Sequence, residues 1–490
     1  MEISKLKDYD YSYYNKGNLN IESDPLIEKI DIINNYVNIR YKVDFYKNFD
    51  WNIKKEGIIA IEYPSVNPNK PWHIGHLRNA LIGQALYNLL KFAGYDCIAI
   101  DYIDDLGLQV AQSYWYNKKY GKESDLKYDL QIGLEYVEAA KLYEQNKEEI
   151  EQVLKDMENK MIAREFVEKV LKAQLETASL YGIKSDLRIY ESDIKNQIFE
   201  KGINLLKQKY LVYHNEGELA GTWTTKNNKV VIRSNGIPTY LGKDIVFQLW
   251  KAGFIKGLKI DKSFRSSTDG IPLSIQADMI INIIGIEQSD HQKEIKQIVE
   301  SLTNVKYIHL AYQKVRLENE SFSGRKGTWI GYTADELYNQ AYNMIKSKEL
   351  ALAAIKFFIL KYNYNREVIF SWDKALSTKG GSGVYLLYTY ARMNSILDKA
   401  VQPELSHIND DERFMYKYIL AFKIILEQSI DTLDISKISE FILKLAEDFN
   451  TYYSKYPIKD DPSRVWLLHK LKNIFEISFS ILGIPIVKRI

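Results

Sequence analysis

Two histidines near residue 75 are the side chains of this sequence whose spacing most clearly suggests chemistry. His73 and His76 flank Gly75 in a chain that has only 7 histidines among 490 residues. At the start of a helix this spacing places both imidazoles on one face, about one turn apart. A helix N-terminus attracts anions, and a glycine lets a ligand approach the backbone. The pattern favours binding of a polyphosphate whose charge grows at one phosphorus during attack, over two solvated histidines at a helix start.

The segments around this pair must position it, and their hydrophobic patterns predict a strand, a helix and a second strand. Residues 58–63 are apolar and β-branched, as in a buried strand. A turn rich in Pro and Asn follows at 64–71, and leucines at helical spacing then continue to Gly94, a residue type common at helix ends. Residues 97–102 form a second apolar run. Such elements predict a βαβ unit of a parallel sheet, with a ligand site beyond the carboxyl ends of its strands.

A second group of polar residues follows another predicted strand. Residues 277–285 are almost continuously apolar, and the polar run from Glu287 to His291 comes directly after them. A helix is predicted to begin near Tyr240, and Asp244 lies four positions later on the same face. We expect both groups to face the crevice that holds the two histidines. A helix-start aromatic beside an exposed carboxylate is the plainer alternative for Tyr240 and Asp244.

Composition limits the class of protein. With 490 residues, 46% hydrophobic and 27% charged, the chain is expected to be globular, with roughly two to four domains. A net charge of +2 is too small to indicate nucleic-acid binding by itself. The single cysteine, Cys97, excludes an intramolecular disulfide and a cysteine-rich zinc site, and fits a reducing compartment. No apolar run of about 18 residues occurs, so a soluble, cytoplasmic protein with no membrane partner is expected.

Characteristic blocks of sequence follow one another along the chain. They are PNKPWHIGHLRNALIG, YIDDLGLQ, TYLGKD, GIEQSDH and SGRKG, followed by the helical runs GVYLLYTYARMNSI and FILKLAEDFNTYYSKYP. Together they resemble class I aminoacyl-tRNA synthetases, and most closely arginyl-tRNA synthetases in their archaeal-type form. The resemblance implies an α/β fold: a Rossmann-like parallel-sheet class I catalytic domain with a helical insertion, followed by an all-α anticodon-binding helix bundle.

The same resemblance divides the chain into domains. It implies a catalytic domain at 57–345, interrupted by a connective insertion at about 110–232 whose periodicity indicates mostly helices. A helical bundle for stem contact and anticodon binding would occupy 346–490. Residues 1–56 would be a short N-terminal extension, the remnant of a domain that contacts the tRNA elbow in relatives. An ordinary surface extension is the alternative for these residues.

The resemblance also assigns roles to individual residues. Those implied for arginine are Glu62, Ser65, Asn67, Tyr240, Asp244 and Gln288. Of these, Glu62, Asp244 and the Tyr240 hydroxyl would bind the guanidinium group, a planar cation whose five donors require acceptors that meet two N–H groups at once. The other three would hold the α-amino and carboxylate groups. The residues implied for ATP are His73, Gly75, His76, His291, Ser323 and Lys326.

A basic loop at 321–328, SFSGRKGT, resembles the mobile KMSKS loop that closes over ATP phosphates in this family. It departs from the full motif because Ser321 and Phe322 stand where Lys and Met begin it, so one phosphate-binding lysine is missing. Family members with this departure keep a lysine just before the histidine motif, and Lys70 occupies that place. The implied catalytic residues, which surround the phosphates with positive charge, are His73, His76, Lys70, Arg325 and Lys326.

The reaction implied is activation of L-arginine by ATP, carried as its Mg²⁺ complex, and transfer of arginine from the adenylate to the terminal ribose of arginine tRNA. Tyr388 and Arg392, four positions apart, would offer tRNA a stacking and phosphate-binding face, unless they belong to the bundle core. A monomer is expected. One alternative is a divergent paralogue that forms adenylates for another acceptor or serves as a non-catalytic tRNA-binding subunit. A cysteine-specific synthetase would need a zinc site with more than one cysteine, and a generic nucleotidyltransferase would not explain the C-terminal blocks.

Overall fold

The computed structural model describes residues 2–3, 8–14, 24–217, 219–261, 270–316 and 327–490. They form two compact units. One unit consists of Lys55–Gln340 and Tyr364–Phe370, and the other of Met1–Lys54, Ala341–Asn363 and Ser371–Ile490. Each unit is therefore discontinuous in sequence, and the second contains both ends of the chain.

An antiparallel sheet and a short helix come first along the chain. The elements are β1 (Glu2–Ile3), β2 (Tyr11–Tyr14), β3 (Ile27–Ile33), β4 (Tyr36–Tyr41) and α1 (Val43–Asn48). The strands lie in the order β1-β2-β4-β3. Tyr11, Val37 and Ile39 are buried together and form a small apolar core.

The unit that begins at Lys55 contains alternating strands and helices. Its first elements are β5 (Ile58–Glu62), α2 (Ile74–Phe92), β6 (Asp96–Ile103), α3 (Leu108–Tyr120), α4 (Tyr128–Leu142), α5 (Lys147–Lys160), α6 (Arg164–Leu180), β7 (Leu187–Tyr190), α7 (Glu191–Ile194) and α8 (Glu200–Gln208). They are followed by β8 (Val212–His214), β9 (Trp223–Thr225), β10 (Val230–Ile232), α9 (Tyr240–Lys251), β11 (Lys259–Ile260), β12 (Ile271–Pro272), β13 (Met279–Gly285), α10 (Ser289–Leu302), β14 (Lys306–Tyr312) and β15 (Val315–Arg316). A π-helical turn, Lys195–Phe199, joins α7 to α8.

Five of these strands form the central sheet, in the order β14-β13-β5-β6-β7. Every neighbouring pair is parallel. The predicted βαβ unit is confirmed, because β5, α2 and β6 have the expected bounds and pairing. The strand predicted at 277–285 is β13. The helix predicted to begin near Tyr240 is α9, whose first turn is capped by the Thr239 hydroxyl, an acceptor for the Gly242 N–H.

The interval 110–232 contains more strand than its periodicity indicated. Two of its helices, α5 and α6, are separated at Met161, which has a left-handed φ of 52°. Leu187–Tyr190 is the edge strand of the central sheet, and β8, β9 and β10 form a separate antiparallel sheet. Strands of three or four residues carry too few side chains to show a period of two, so the sequence pattern missed them.

The remaining elements are mostly helices. They are α11 (Ala334–Ile345), α12 (Lys348–Leu360), β16 (Val368–Ile369), α13 (Trp372–Ala375), α14 (Gly383–Leu397), α15 (Arg413–Thr432), α16 (Ser436–Lys455) and α17 (Pro462–Leu482). β16 pairs with β15 in the first unit. In the other unit, α14 to α17 form the predicted bundle, and its apolar faces are buried. None of the helices in the described ranges is long and apolar enough to cross a membrane.

The N-terminal sheet belongs to the same unit as the bundle, and two buried polar contacts join them. The carboxylate of Asp10 pairs with the guanidinium of Arg413 at 2.8 Å, with both side chains buried. The Trp51 indole N–H donates to the carbonyl oxygen of Ile419 at 2.7 Å. Removing one partner of such a buried pair leaves an uncompensated charge, so the pair favours folding of this sheet together with these helices.

Candidate active site

The central sheet has a topological switch point beside β5. The chain runs from β5 outward to β6 and β7 on one side, and returns to β13 and β14 on the other. Ligands of open parallel sheets bind at such a point, beyond the carboxyl ends of the strands. Glu62 ends β5 and is in register with Asn282 of β13. The crevice expected from the sequence is therefore formed by the ends of β5, β6 and β13.

The histidine pair lies at the N-terminus of α2. His73 is its N-cap residue, and its Nδ1 accepts hydrogen bonds from the N–H groups of Gly75 (3.0 Å) and His76 (3.4 Å). The Nδ1 of His76 accepts from the His73 N–H at 3.3 Å. The two rings stack with centroids 3.7 Å apart. Because both Nδ1 atoms are acceptors, each neutral imidazole carries its proton on Nε2.

Both imidazoles are neutral at pH 7, which differs from the expected positive charge at these positions. Burial lowers the pKa of His73 to about 3, and the nearby charge of Lys70 lowers it further. Burial, the other ring and Lys70 hold the pKa of His76 well below its usual range. The pair is therefore a set of neutral N–H donors at a helix terminus, and positive charge must come from other groups.

Lys70 supplies such a charge. Its side chain is buried, and Nζ donates to Oδ1 of Asn69 at 3.1 Å. Burial lowers the pKa of Lys70 to about 8, against the opposing effect of the Asp104 carboxylate. The turn that carries Lys70 is held by Gln174 of α6, whose Nε2 donates to the carbonyl oxygens of Lys70 (2.8 Å) and Asn67 (3.1 Å). Gln174 was not predicted, since nothing in an amphipathic helix marks one glutamine as a support.

Glu62 is paired with an internal lysine. It is only 6% exposed, and its Oε2 forms an ion pair with Nζ of Lys251, the last residue of α9. Lys251 Nζ also donates to Gln248 Oε1 (2.9 Å) and Asn282 Oδ1 (3.3 Å). At the other oxygen, Oε1, Glu62 accepts from the Ser65 hydroxyl at 3.5 Å. Glu62 and Ser65, both predicted for arginine binding, are thus adjacent, and the charge of Glu62 is balanced within the protein.

The predicted residues of α9 contact polar side chains of other elements. Asp244 Oδ2 lies 2.8 Å from Nε2 of His291, which brings together two predicted residues from α9 and α10. The Tyr240 hydroxyl donates to Oδ2 of Asp104 at 3.1 Å. A Cβ atom on Gly107 would lie 2.5 Å from that hydroxyl, so glycine is required there.

The ends of β6 and β7 are joined by a carboxylate of the block YIDDLGLQ. Asp105 accepts hydrogen bonds from the Ser192 N–H (2.9 Å) and the Ser192 hydroxyl (2.6 Å). Burial raises the pKa of Asp105 to about 6, while the positive charge of Arg164 opposes this effect. Asp105 therefore fixes the relative position of two strand ends that line the crevice.

The other predicted residues are placed as follows. Asn67 is half-buried in the turn before α2, and Gln288 is exposed between β13 and α10, at the same end of the sheet. Ser323, Arg325 and Lys326 lie outside the described residues.

In the other unit, the two residues predicted for tRNA binding lie on α14. Tyr388 and Arg392 are exposed, and Arg392 donates to Oδ1 of Asn450. Arg392 also lines a cavity of about 520 Å³. The charged and aromatic side chains that line this cavity are Arg392, Lys399, Tyr453, Lys455 and Lys459. Their chemistry suits an RNA backbone with an unstacked base.

Comparison with known proteins identifies this arrangement. Residues 45–264 match the family model described as "tRNA synthetases class I (R), catalytic domain", and residues 386–490 match "DALR anticodon binding domain". An arginine–tRNA ligase of Pyrococcus abyssi is 33% identical, over 87% of this chain and 80% of that protein. One from Thermus thermophilus is 31% identical, over 88% of this chain and 82% of its own length.

Solved structures agree with the sequence matches. The structure of Thermus thermophilus arginyl-tRNA synthetase superposes with a TM-score of 0.87 at 27% identity, covering 96% of this chain and 90% of that one. An arginyl-tRNA synthetase from Plasmodium falciparum, at 19% identity, shares the fold with a TM-score of 0.72 and covers 96% and 87%.

The parallel sheet, the histidine pair at the helix tip and the helical C-terminal domain define a class I aminoacyl-tRNA synthetase. Within that class, the chain belongs to the arginyl-tRNA synthetase family. The matches do not favour the alternative of a diverged adenylate-forming or non-catalytic subunit.

Proposed function

We propose that this chain is an arginine–tRNA ligase. In the first step an arginine carboxylate oxygen attacks the α-phosphorus of ATP, the bond to the bridging oxygen breaks, and pyrophosphate leaves with that electron pair. In the second step a hydroxyl of the terminal ribose of arginine tRNA attacks the activated carbonyl carbon, and AMP leaves. ATP enters as its Mg²⁺ complex, so the metal is part of the substrate.

The observation that carries this proposal is the continuity of the crevice from the histidine pair to α9. The charge of Lys70 acts on both His73 and His76. The charge of Asp104 acts in turn on Lys70, and Asp104 accepts a hydrogen bond from Tyr240. These interactions support a site for phosphate and a site for a cationic side chain at the same end of the sheet, as adenylate formation from arginine requires.

The chain's own groups act by position and charge. The Nε2–H donors of His73 and His76, at the positive end of α2, would stabilise the charge that grows on the α-phosphate. Lys70 would contact the phosphates from the turn between β5 and α2. Arg325 and Lys326 would meet them from the loop, as the sequence predicts. The guanidinium group would lie between acceptors on α9, with Asp244 as its ionic partner.

The bundle supplies the surface that fits tRNA. We infer that the basic cavity beside α14 takes a phosphate of the tRNA, with Tyr453 of its lining as a stacking platform. The exposed Tyr388, four positions before Arg392 on α14, would offer a second one. Action as a monomer in the cytoplasm is part of the same proposal, since a buried, unpaired Cys97 fits a reducing compartment.

A charging assay tests the function. The purified protein, with ATP, Mg²⁺ and labelled arginine, is expected to attach arginine to arginine tRNA, and failure to do so while a related synthetase succeeds would refute the proposal. Asp244→Ala should raise the KM for arginine about a hundredfold or more, since a charged partner is lost, with ATP binding little changed. Asp290→Ala removes an exposed carboxylate at the start of α10 and should behave like the parent protein. Normal arginine binding by Asp244→Ala would show that the guanidinium site lies elsewhere.

A further inference from the structure

Asp104, at the carboxyl end of β6, is not among the residues predicted to bind arginine, ATP or tRNA. It is only 8% exposed and lies between the nucleotide side of the crevice and α9. Among the described residues, no lysine or arginine nitrogen lies within 4.0 Å of its carboxylate. Its acidic neighbour Glu191 has such a partner in Lys243, at 2.5 Å. The interaction that Asp104 does make is therefore informative.

That interaction fixes a proton. A tyrosine hydroxyl has one proton to donate and lone pairs that accept. The Tyr240 hydroxyl donates its proton to Oδ2 of Asp104, 3.1 Å away. With the proton committed in this direction, the lone pairs are the part of the hydroxyl left for another partner. A guanidinium group, which has only donors, needs such an acceptor.

The surroundings keep this geometry in place. Tyr240 is 44% exposed, but its hydroxyl lies against Asp104. Loss of hydration and then the charge of Asp104 raise the pKa of Tyr240, so its proton stays on at any working pH. Gly107, which begins α3, leaves the space in which the hydroxyl and the carboxylate meet, since a Cβ atom there would approach both Asp104 oxygens to 3.0 Å. Lys243 covers the Tyr240 ring at 5.0 Å while it neutralises Glu191. The ring is thereby held from one side and its hydroxyl from the other.

We infer that Asp104 is a positioning residue for arginine specificity: it holds the Tyr240 hydroxyl proton away from the substrate, so that this oxygen presents only lone pairs to the guanidinium group. The inference rests on the proposed function and deepens it. This arrangement of the Tyr240 hydroxyl would distinguish arginine from a neutral isostere such as citrulline. The urea oxygen of citrulline would face the lone pairs of the hydroxyl, and no proton would lie between the two oxygens to form a hydrogen bond.

A double-mutant cycle on the full-length protein tests this role. Arginine dependence of charging is measured at saturating ATP and tRNA for the parent protein, Asp104→Leu, Tyr240→Phe and the double variant. Asp104→Leu should raise the KM for arginine about tenfold or more, as for a lost hydrogen bond to a charged group, with kcat at saturating ATP little changed. In the Tyr240→Phe background the same substitution should have no further effect on the KM, because no hydroxyl is left to orient.

Asp104→Asn is the conservative variant that separates orientation from charge. Its amide oxygen still accepts the Tyr240 proton, so it should keep the KM for arginine within about threefold of the parent value. An Asp104→Asn protein as impaired as Asp104→Leu, or a Leu effect of equal size with and without the Tyr240 hydroxyl, would overturn the inference. Asp104→Ala replaces Asp104→Leu in the cycle if the leucine variant does not fold. If the parent protein does not charge arginine at all, the proposed function fails instead, so the two failures are distinguishable.

Discussion

Replacing Lys251 with methionine should destabilise the unit that contains the active site, because it leaves Glu62 buried without a cation. Lys251 is fully buried at the end of α9, and its ammonium group contacts Glu62, Gln248 and Asn282. Methionine fills similar space but donates no hydrogen bond. Three acceptors lose their donor, and one of them is a carboxylate that is 6% exposed.

The size of the destabilisation follows from the burial of the ion pair between Glu62 and Lys251. Breaking a buried ion pair by removing one partner costs about 3–5 kcal/mol, since the remaining charge keeps its desolvation penalty. If that explanation is right, neutralising the remaining charge should recover stability. The double variant Lys251→Met, Glu62→Gln should therefore regain about 2 kcal/mol or more relative to Lys251→Met alone.

The two units can unfold separately, so the measurement must report on this one. Hydrogen exchange of peptides that span β5 and α9, followed over a urea series, gives the free energy of opening where the pair lies. Lys256→Met is the matched control, since Lys256 is exposed just beyond the same helix and should cost within about 0.5 kcal/mol. A loss of less than about 1 kcal/mol for Lys251→Met, or no recovery in the double variant, would refute the reasoning.

Three further predictions concern the crevice. Gly107→Ala, whose Cβ would lie 2.5 Å from the Tyr240 hydroxyl, should raise the KM for arginine about tenfold, whereas Gly217→Ala, which meets nothing closer than 3.5 Å, should not. Burial lowers the pKa of Lys70 to about 8, so its charge is lost as pH rises through that value and the KM for ATP should increase between about pH 7 and 9. The Lys70→Arg variant stays charged and should show a flatter dependence of the KM on pH. The same pH dependence in the variant and the parent protein would contradict the assignment of Lys70. Since the pKa of His73 is about 3, the KM for ATP should show no histidine inflection between about pH 5 and 7, and a clear inflection there would contradict its burial.

Long apolar runs allowed the core of the fold to be predicted. β5, α2, β6 and β13 each contain enough apolar residues at one spacing to reveal their type, and the parallel order follows from the crossover helix. β7 has four residues, LRIY, between two helical stretches, so its membership of the sheet depends on the tertiary structure alone.

Candidates for the site could be named from the sequence where a motif carries the chemistry, but not where partners come from distant segments. His73, His76, Tyr240 and Asp244 stand at element ends in recognisable blocks. Lys251 looks like any basic residue in the last turn of a helix, and only the fold brings it 189 positions back to Glu62.

The pairing of Asp10 with Arg413 has a consequence for the order in which the molecule is made. The two residues are 403 positions apart, and at about 5–20 residues per second a ribosome needs roughly 20–80 seconds to travel between them. During that interval all five strands of the central sheet emerge, while the first strands synthesised still lack the helices they pack against. The opening segment of this chain is thus expected to be the last to settle, and to need protection from aggregation until translation is nearly complete.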